Sequence, residues 1–264
     1  ERGGPQTIAS GITPSGSFHI GHLREILSAE MIHRSCLDMG IKSRYIFIVD
    51  SMDPLRRVYS FLDDTYEHYI GHPLAFIPAP GVDGKPDASM GNYADHFLNP
   101  FLKSLKTIGV IPEVVLNHEV YASGALESKI HDVIQRRKEI KEIIETVSGR
   151  DLDENWFPYN PLGSDGSLDG VSVTGYDRPY VFWKDRHGVE GSSDIRRAAG
   201  KMPWRVDWAA RWGLHGITCE PAGKDHGSAG GSYDTGIPIS NLLGHRPPKK
   251  MVYEWIQIKG MGPM

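Results

Sequence analysis

Two hydrophobic periods share the first fifty residues of the chain. Thr7-Ile8-Ala9-Ser10 is short and half apolar, the pattern of a strand. Ile20, Leu23, Leu27 and Met31 then recur at helical spacing until Gly40, which predicts an amphipathic helix with a glycine just past its end. Ser43 to Val49 is an almost unbroken apolar run ending at Asp50, as expected of a parallel strand buried on both faces. Further on, Pro73, Pro78, Pro80 and Pro86 with interspersed glycines predict a loop over residues 69–92. Phe97, Phe101 and Leu105 predict a helix from Tyr93 to Ile108, and Glu113 to Leu116 a short strand. Leu126, Ile130, Ile134 and Ile144 mark one long amphipathic helix over 125–147, with Arg136-Arg137-Lys138 on its solvated face.

The texture changes between Gly149 and Gly200, where two short β runs, Val171–Val173 and Tyr180–Trp183, stand among many glycines. They predict a small inserted β module held by packing of Tyr180, Phe182 and Trp183. Trp204, Trp208 and Trp212 fall at i, i+4 and i+8, one face of a helix. That face is either a core stripe or, with Asp207 beside it, a cation pocket. A short strand at Ile217-Thr218-Cys219 leads into Glu220-Pro221-Ala222-Gly223-Lys224-Asp225-His226 and then Gly230 to Gly236. Lys249 to Ile258 reads as a buried strand, followed by Lys259. Strands and helices alternate, so the fold class is α/β.

Composition narrows the function classes only a little. A chain of 264 residues with 39% hydrophobic and 23% charged residues can bury a full core. A net charge of −4 carries no nucleic-acid signature. Cys36 and Cys219 are far apart and form no CxxC motif, which fits a reducing compartment, and the cytoplasm is expected. No apolar run reaches the ~18 residues of a membrane span.

The candidate chemistry centres on Thr13-Pro14-Ser15-Gly16-Ser17-Phe18-His19-Ile20-Gly21-His22. Strand, glycine-bearing loop and helix N-terminus present unpaired backbone N–H groups to a phosphate, and two imidazoles there add donors. Asp50, Asp53, Arg56 and Arg57 follow the second strand, where ligands of parallel sheets sit, and could bind substrate or pair with one another.

His19-Ile20-Gly21-His22 resembles the HIGH signature of class I aminoacyl-tRNA synthetases. Gly-Ile-Thr-Pro-Ser-Gly from Gly11, Asp-Pro-Leu-Arg from Asp53, Trp-Arg-Val-Asp-Trp from Trp204, Glu-Pro-x-Gly-Lys-Asp-His from Glu220 and Ser-Tyr-Asp-Thr-Gly from Ser232 follow in order. Together they look like the class I, archaeal-type lysyl-tRNA synthetases, over essentially the whole chain. The resemblance implies a Rossmann-like (HUP-type) nucleotide-binding catalytic domain with an inserted connective α/β module. Its two halves would be residues 1–70 and 201–264, around an insertion at 71–200. It implies ATP-dependent activation of lysine and transfer to tRNA(Lys), with Mg²⁺ bridging phosphates, in a monomer.

By the same resemblance, His19, His22 and Lys259 would be catalytic. Pro14, Ser15, Gly16, His19, Gly21, His22, Gly223, Asp225 and His226 would bind ATP. Gly11, Thr13, Trp204, His226, Tyr233, Tyr253 and Glu254 would bind lysine, with Glu254 the leading partner for its ε-ammonium. Relatives carry Cys/His zinc clusters near residues 79–96 and 158–190. Here only His96 and His187 stand there, without cysteine, so no structural metal is expected. The chain begins without Met and stops at Met264, where the resemblance places a KMSKS-type loop. A fragment, nearly inactive in aminoacylation by itself, is therefore expected. The alternatives are a glutamyl- or glutaminyl-type ligase of the same subclass, or a non-catalytic nucleotide- or tRNA-binding module.

Overall fold

The computed structural model describes residues 3–256. In chain order its elements begin with β1 (Gln6–Ile12), α1 (Ile20–Asp38), β2 (Ser43–Val49), β3 (Pro78–Pro80), β4 (Pro86–Asn92), α2 (Tyr93–Thr107) and β5 (Glu113–Leu116). There follow α3 (Asn117–Ala122), α4 (Glu127–Gln135), α5 (Arg137–Ser148), β6 (Asn160–Pro161), β7 (Val171–Asp177), β8 (Tyr180–Asp185), β9 (Glu190–Asp194) and β10 (Gly200–Lys201). The last are α6 (Trp204–His215), β11 (Cys219–Gly223), α7 (Lys224–Gly227), α8 (Ser232–Leu242) and β12 (Lys249–Tyr253).

A five-stranded parallel sheet in the order β12-β11-β1-β2-β5 organises the molecule. The side chains of β2 show why it sits in the middle. Tyr45, Phe47 and Val49 pack into one core with Ile26, Ala29, Leu98, Phe101 and Leu105 of α1 and α2. Ile46 and Ile48 face the opposite core, among residues of α3 to α6 and α8. Period-two alternation of wholly apolar residues thus fills both faces at once. From β1 the chain runs outward to β2 and β5, then returns to β11 and β12 on the other side. The order therefore reverses between β1 and β11, which opens a crevice beyond their carboxyl ends.

The strands and helices read from the first 50 residues stand where expected, and three later readings need correction. Residues 69–92 are not simply loop. β3 and β4 form an antiparallel ribbon turned at Gly84, whose φ is +79°. A two-stranded ribbon has free edges, so Pro78, Pro80 and Pro86 cost it few ladder hydrogen bonds. The helix over 125–147 is two helices hinged at Arg136, with φ −101° and ψ 21°. Ile134 and Ile140, on either side of the break, are both buried, so the apolar stripe carries across it. Lys249 onward is an edge strand: Met251 and Val252 are exposed rather than buried, and residues beyond 256 lie outside the described part.

The inserted β module exists as a three-stranded antiparallel sheet, β7-β8-β9, with β9 unforeseen. Its packing also differs from expectation. Val181 and Trp183 point inward, whereas Tyr180 and Phe182 are 42% and 43% exposed on the outer face. Trp183 lies flat against Gly191, where an added Cβ would come within 2.5 Å of its ring, and its indole N–H bonds the Ser193 hydroxyl at 3.0 Å. β5, within the 71–200 stretch, is the outer strand of the central sheet.

Candidate active site

The crevice at the sheet reversal is a cleft of about 730 Å³, within the size range of small-molecule sites. One side is the start of α1. His19 caps that helix: its Nδ1 accepts the Gly21 N–H at 3.1 Å, while the His19 N–H donates to His22 Nδ1 at 3.0 Å. With each Nδ1 accepting, each ring carries its proton on Nε2 and offers an N–H donor outward. Burial, and then the neighbouring His19, lower the His22 pKa to about 4, so that ring is neutral at pH 7. The rings lie 3.9 Å apart between centroids. His22, Gly21, Ser15, Thr13 and Gly11 line the cleft.

The opposite side is aromatic. Trp204 and Trp208 line the cleft, and His226 sits edge-on to both at 5.5 and 5.8 Å. Trp212, 1% exposed, is core. The tryptophan face is thus a binding wall at one end and packing at the other. Asp207 does not serve it. That carboxylate is fully buried round the helix, accepting from Tyr121 Oη at 2.6 Å and Asn117 Nδ2 at 3.2 Å.

Among the carboxylates lining the cleft, four are divided by their partners. Asp50 faces Arg211 at 2.6 Å, and Asp53 binds the buried Lys201 ammonium. Burial works against the Asp53 charge, but Lys201 and the Thr13 hydroxyl hold its pKa below the usual value. Glu25 and Glu220 have neutral partners instead. Glu25 takes the Tyr253 hydroxyl and, at 3.5 Å, the Gly11 N–H. Glu220 takes the Trp212 indole N–H at 2.6 Å. Burial raises Glu25 to about 8 and Glu220 to about 7. Such a site favours a cation, because an incoming ammonium would supply the charge these two lack.

Several expected site residues are placed otherwise. Glu254 points out of the cleft, 75% exposed, and pairs with Lys224 at 2.7 Å. Tyr253 lines the cleft, and a residue one step along an extended chain faces the other way. Glu25, on the same face of α1 as His22 and Gly21, lines the cleft and holds the Tyr253 hydroxyl. Tyr233 is buried behind the wall, 5.4 Å from the Trp208 ring, with its hydroxyl donating to the Glu220 carbonyl oxygen. Pro14 is buried beneath the loop, Gly16 packs on Phe61, and His19 stands outside the lining, touching it through His22. Gly223, Asp225 and His226 all border the cleft. A Cβ on Gly223 would come within 2.5 Å of the Asp225 carboxylate, which would have to move aside. Arg57 lies over the Tyr59 ring at 5.0 Å, away from the cleft lining. Lys259 falls outside the described residues. Glu25 and Lys201 were not singled out by sequence reasoning, Arg211 and Glu220 entered it as motif residues without a role, and the i+3 spacing of Glu25 from His22 was the available signal.

A parallel sheet reversed at β1/β11, with an HIGH-type helix start beside the reversal, is the class I synthetase arrangement. The family model described as tRNA synthetases class I (K) matches residues 1–264, and the chain belongs to that family. It is 44% identical over 263 residues, 99% of its length, to a lysine–tRNA ligase of Thermoplasma volcanium. It is 42% identical over 266 residues to that of Archaeoglobus fulgidus. The chain spans about half of these relatives, 51% and 52% of their lengths. A crystal structure assigned as an arginyl tRNA synthetase from Campylobacter jejuni aligns with 96% of this chain and 55% of its own. The TM-score is 0.50 at 12% identity, a likeness of fold.

Proposed function

We propose that this chain is the amino-acid- and ATP-binding part of a lysine–tRNA ligase. The observation that carries the proposal is the Glu25–Tyr253 pair facing the Trp204–Trp208–His226 wall, at a cleft that also holds the His22 helix start. The lysine ε-ammonium would sit against Glu25 with its methylenes along the indoles. ATP phosphates would take the imidazole N–H groups and the N-terminus of α1. The lysine carboxylate then attacks the α-phosphorus, the bond to pyrophosphate breaks, and lysyl-adenylate forms for transfer to tRNA(Lys). No protein nucleophile is needed, and these residues act by positioning and charge stabilisation. Among the described residues no three His, Cys, Asp or Glu side chains converge as a metal site. Mg²⁺ is therefore read as entering with the nucleotide as its phosphate complex, and no step is assigned to protein-bound metal.

A glutamyl- or glutaminyl-type reading would need an arginine facing the substrate side chain. Of the arginines lining the cleft, Arg211 is engaged by Asp50 and Asp207 and Arg56 pairs with Asp169, while Arg24, over the Tyr253 ring at 5.8 Å, is the one left for that reading. The test is amino-acid-dependent ATP–pyrophosphate exchange by this chain extended to the length of its relatives. Exchange driven by lysine, and not by glutamate or glutamine, is expected; stimulation by glutamate alone would overturn the reading. In the 264-residue chain, His22→Ala should weaken ATP binding on the order of tenfold, one charge-assisted donor being lost, with only the small fall in melting temperature that loss of a helix-cap hydrogen bond brings. Equal calorimetric affinities would remove His22 from the phosphate site.

A further inference from the structure

We infer that Lys201 is a positioning residue that makes Thr13 an obligate hydrogen-bond acceptor for the α-ammonium of the amino-acid substrate, an inference that rests on reading this cleft as an amino-acid site. Lys201 is 4% exposed, and its ammonium binds Asp53 Oδ1. The other oxygen of that carboxylate, Oδ2, accepts the Thr13 hydroxyl proton at 2.6 Å. A hydroxyl has one proton to give. Once it is given to Asp53, Thr13 turns only lone pairs to the cleft that it lines. Those lone pairs can accept from an ammonium and cannot donate to a carboxylate or a carbonyl.

This polarity is obligatory only while Asp53 is ionised, since a protonated carboxyl could also turn its O–H toward Thr13, and burial opposes ionisation. A cation inside the protein has to offset that cost, and Lys201 supplies it. The fold holds the lysine firmly. Lys201 lies in β10, which pairs with β6, and the next residue's N–H, from Met202, donates to Tyr121 Oη at 2.9 Å. Tyr121 in turn donates to Asp207. The stretch preceding α6 therefore reaches across 148 positions of sequence to set the hydrogen-bonding sense of a residue on the phosphate-side loop.

The test compares calorimetric binding of L-lysine with that of 6-aminohexanoic acid, which is lysine without its α-amino group, to the 264-residue chain. The unaltered chain should prefer lysine. Lys201→Met should weaken lysine on the order of tenfold and leave 6-aminohexanoic acid little changed, so the preference collapses. Lys201→Arg, which keeps a cation, should retain most of it. The neutral pair Lys201→Met/Asp53→Leu, which leaves Thr13 no acceptor at position 53, carries the test should Lys201→Met fail to fold. It removes the buried charge, so it should recover the melting temperature without recovering the preference, whereas a merely structural role would recover both. A preference unchanged in the variants overturns this inference and leaves the cleft's assignment standing. Absence of lysine binding by the unaltered chain overturns the assignment itself, and this inference with it.

Discussion

Lysine binding to this chain is expected to tighten as pH rises from about 6 to about 8, and Glu25→Gln should abolish most of the binding along with the upper part of that dependence. Burial chiefly, with Glu220 adding to it, lifts the Glu25 carboxyl to about 8 against the opposing pull of the Tyr253 and Gly11 donors. In the empty protein at pH 7 Glu25 is mostly protonated. The substrate ammonium, with a pKa near ~10.4, stays charged throughout this range. Binding therefore drives a proton off Glu25, and affinity should rise by up to about tenfold per pH unit until Glu25 is ionised without help. Calorimetry in two buffers of different ionisation enthalpy would count the released proton. Glu25→Gln should cost about 100-fold in lysine affinity at pH 8, the size of a lost charged partner in a buried site. A slope remaining near pH 7 in that variant belongs to Glu220, raised to about 7. An affinity for lysine unaffected by Glu25→Gln would remove Glu25 from the pocket.

The same group should act oppositely on stability. A carboxyl whose folded pKa exceeds its unfolded value of 4.5 binds its proton more tightly when folded. Between about 4.5 and about 8, rising pH therefore favours the unfolded chain. Glu25→Gln should accordingly melt higher than the unaltered protein at pH 8 and not at pH 4. Stability is given up here for a charge that the ligand is meant to complete.

What the sequence made legible was whatever local spacing controls. The alternation of Tyr45 through Val49 already specifies a strand buried on two faces, and His19–His22 already specifies a helix start, which the fold places at the cleft. Trp204, Trp208 and Trp212 were read correctly as one helical face, although spacing could not say that Trp212 ends in the core. Lys201 was not legible, because its partner lies 148 positions away and the pairing depends on how β10 reaches the cleft. Glu25 was hidden for a different reason: inside Leu-Arg-Glu-Ile-Leu a glutamate reads as a solvated helix charge. Glu254 could have been corrected from sequence alone, since Tyr253 and Glu254 cannot face one side of an extended chain. The break at Arg136 was not legible, because Leu126, Ile130, Ile134, Ile140 and Ile144 fit one stripe of an uninterrupted helix.

The largest loss of stability is expected from Arg211→Met, on the order of 3–5 kcal/mol, because it leaves two buried carboxylates without their cation. Arg211 is 4% exposed. Its Nη1 is 2.6 Å from Asp50 Oδ1, and its Nε is 3.1 Å from Asp207 Oδ2, near enough for an ion pair though not aligned as a hydrogen bond. Burial raises the pKa of Asp50 even with the guanidinium present. Without Arg211 the Asp50 carboxyl is pushed further up, so the folded variant holds a proton that the unfolded chain has already released. Its stability must then fall as pH rises above the ordinary carboxylate range. The deficit measured by urea unfolding should be larger at pH 8 than at pH 5. Asp50 lines the cleft while Asp207 lies behind it, so Arg211 ties the floor of the site to α6. Arg211→Lys should recover only part of the loss, since one ammonium cannot span both partners as the planar guanidinium does. A deficit below about 1 kcal/mol at both pH values, the range of an exposed ion pair, would show that solvent and not Arg211 neutralises these carboxylates.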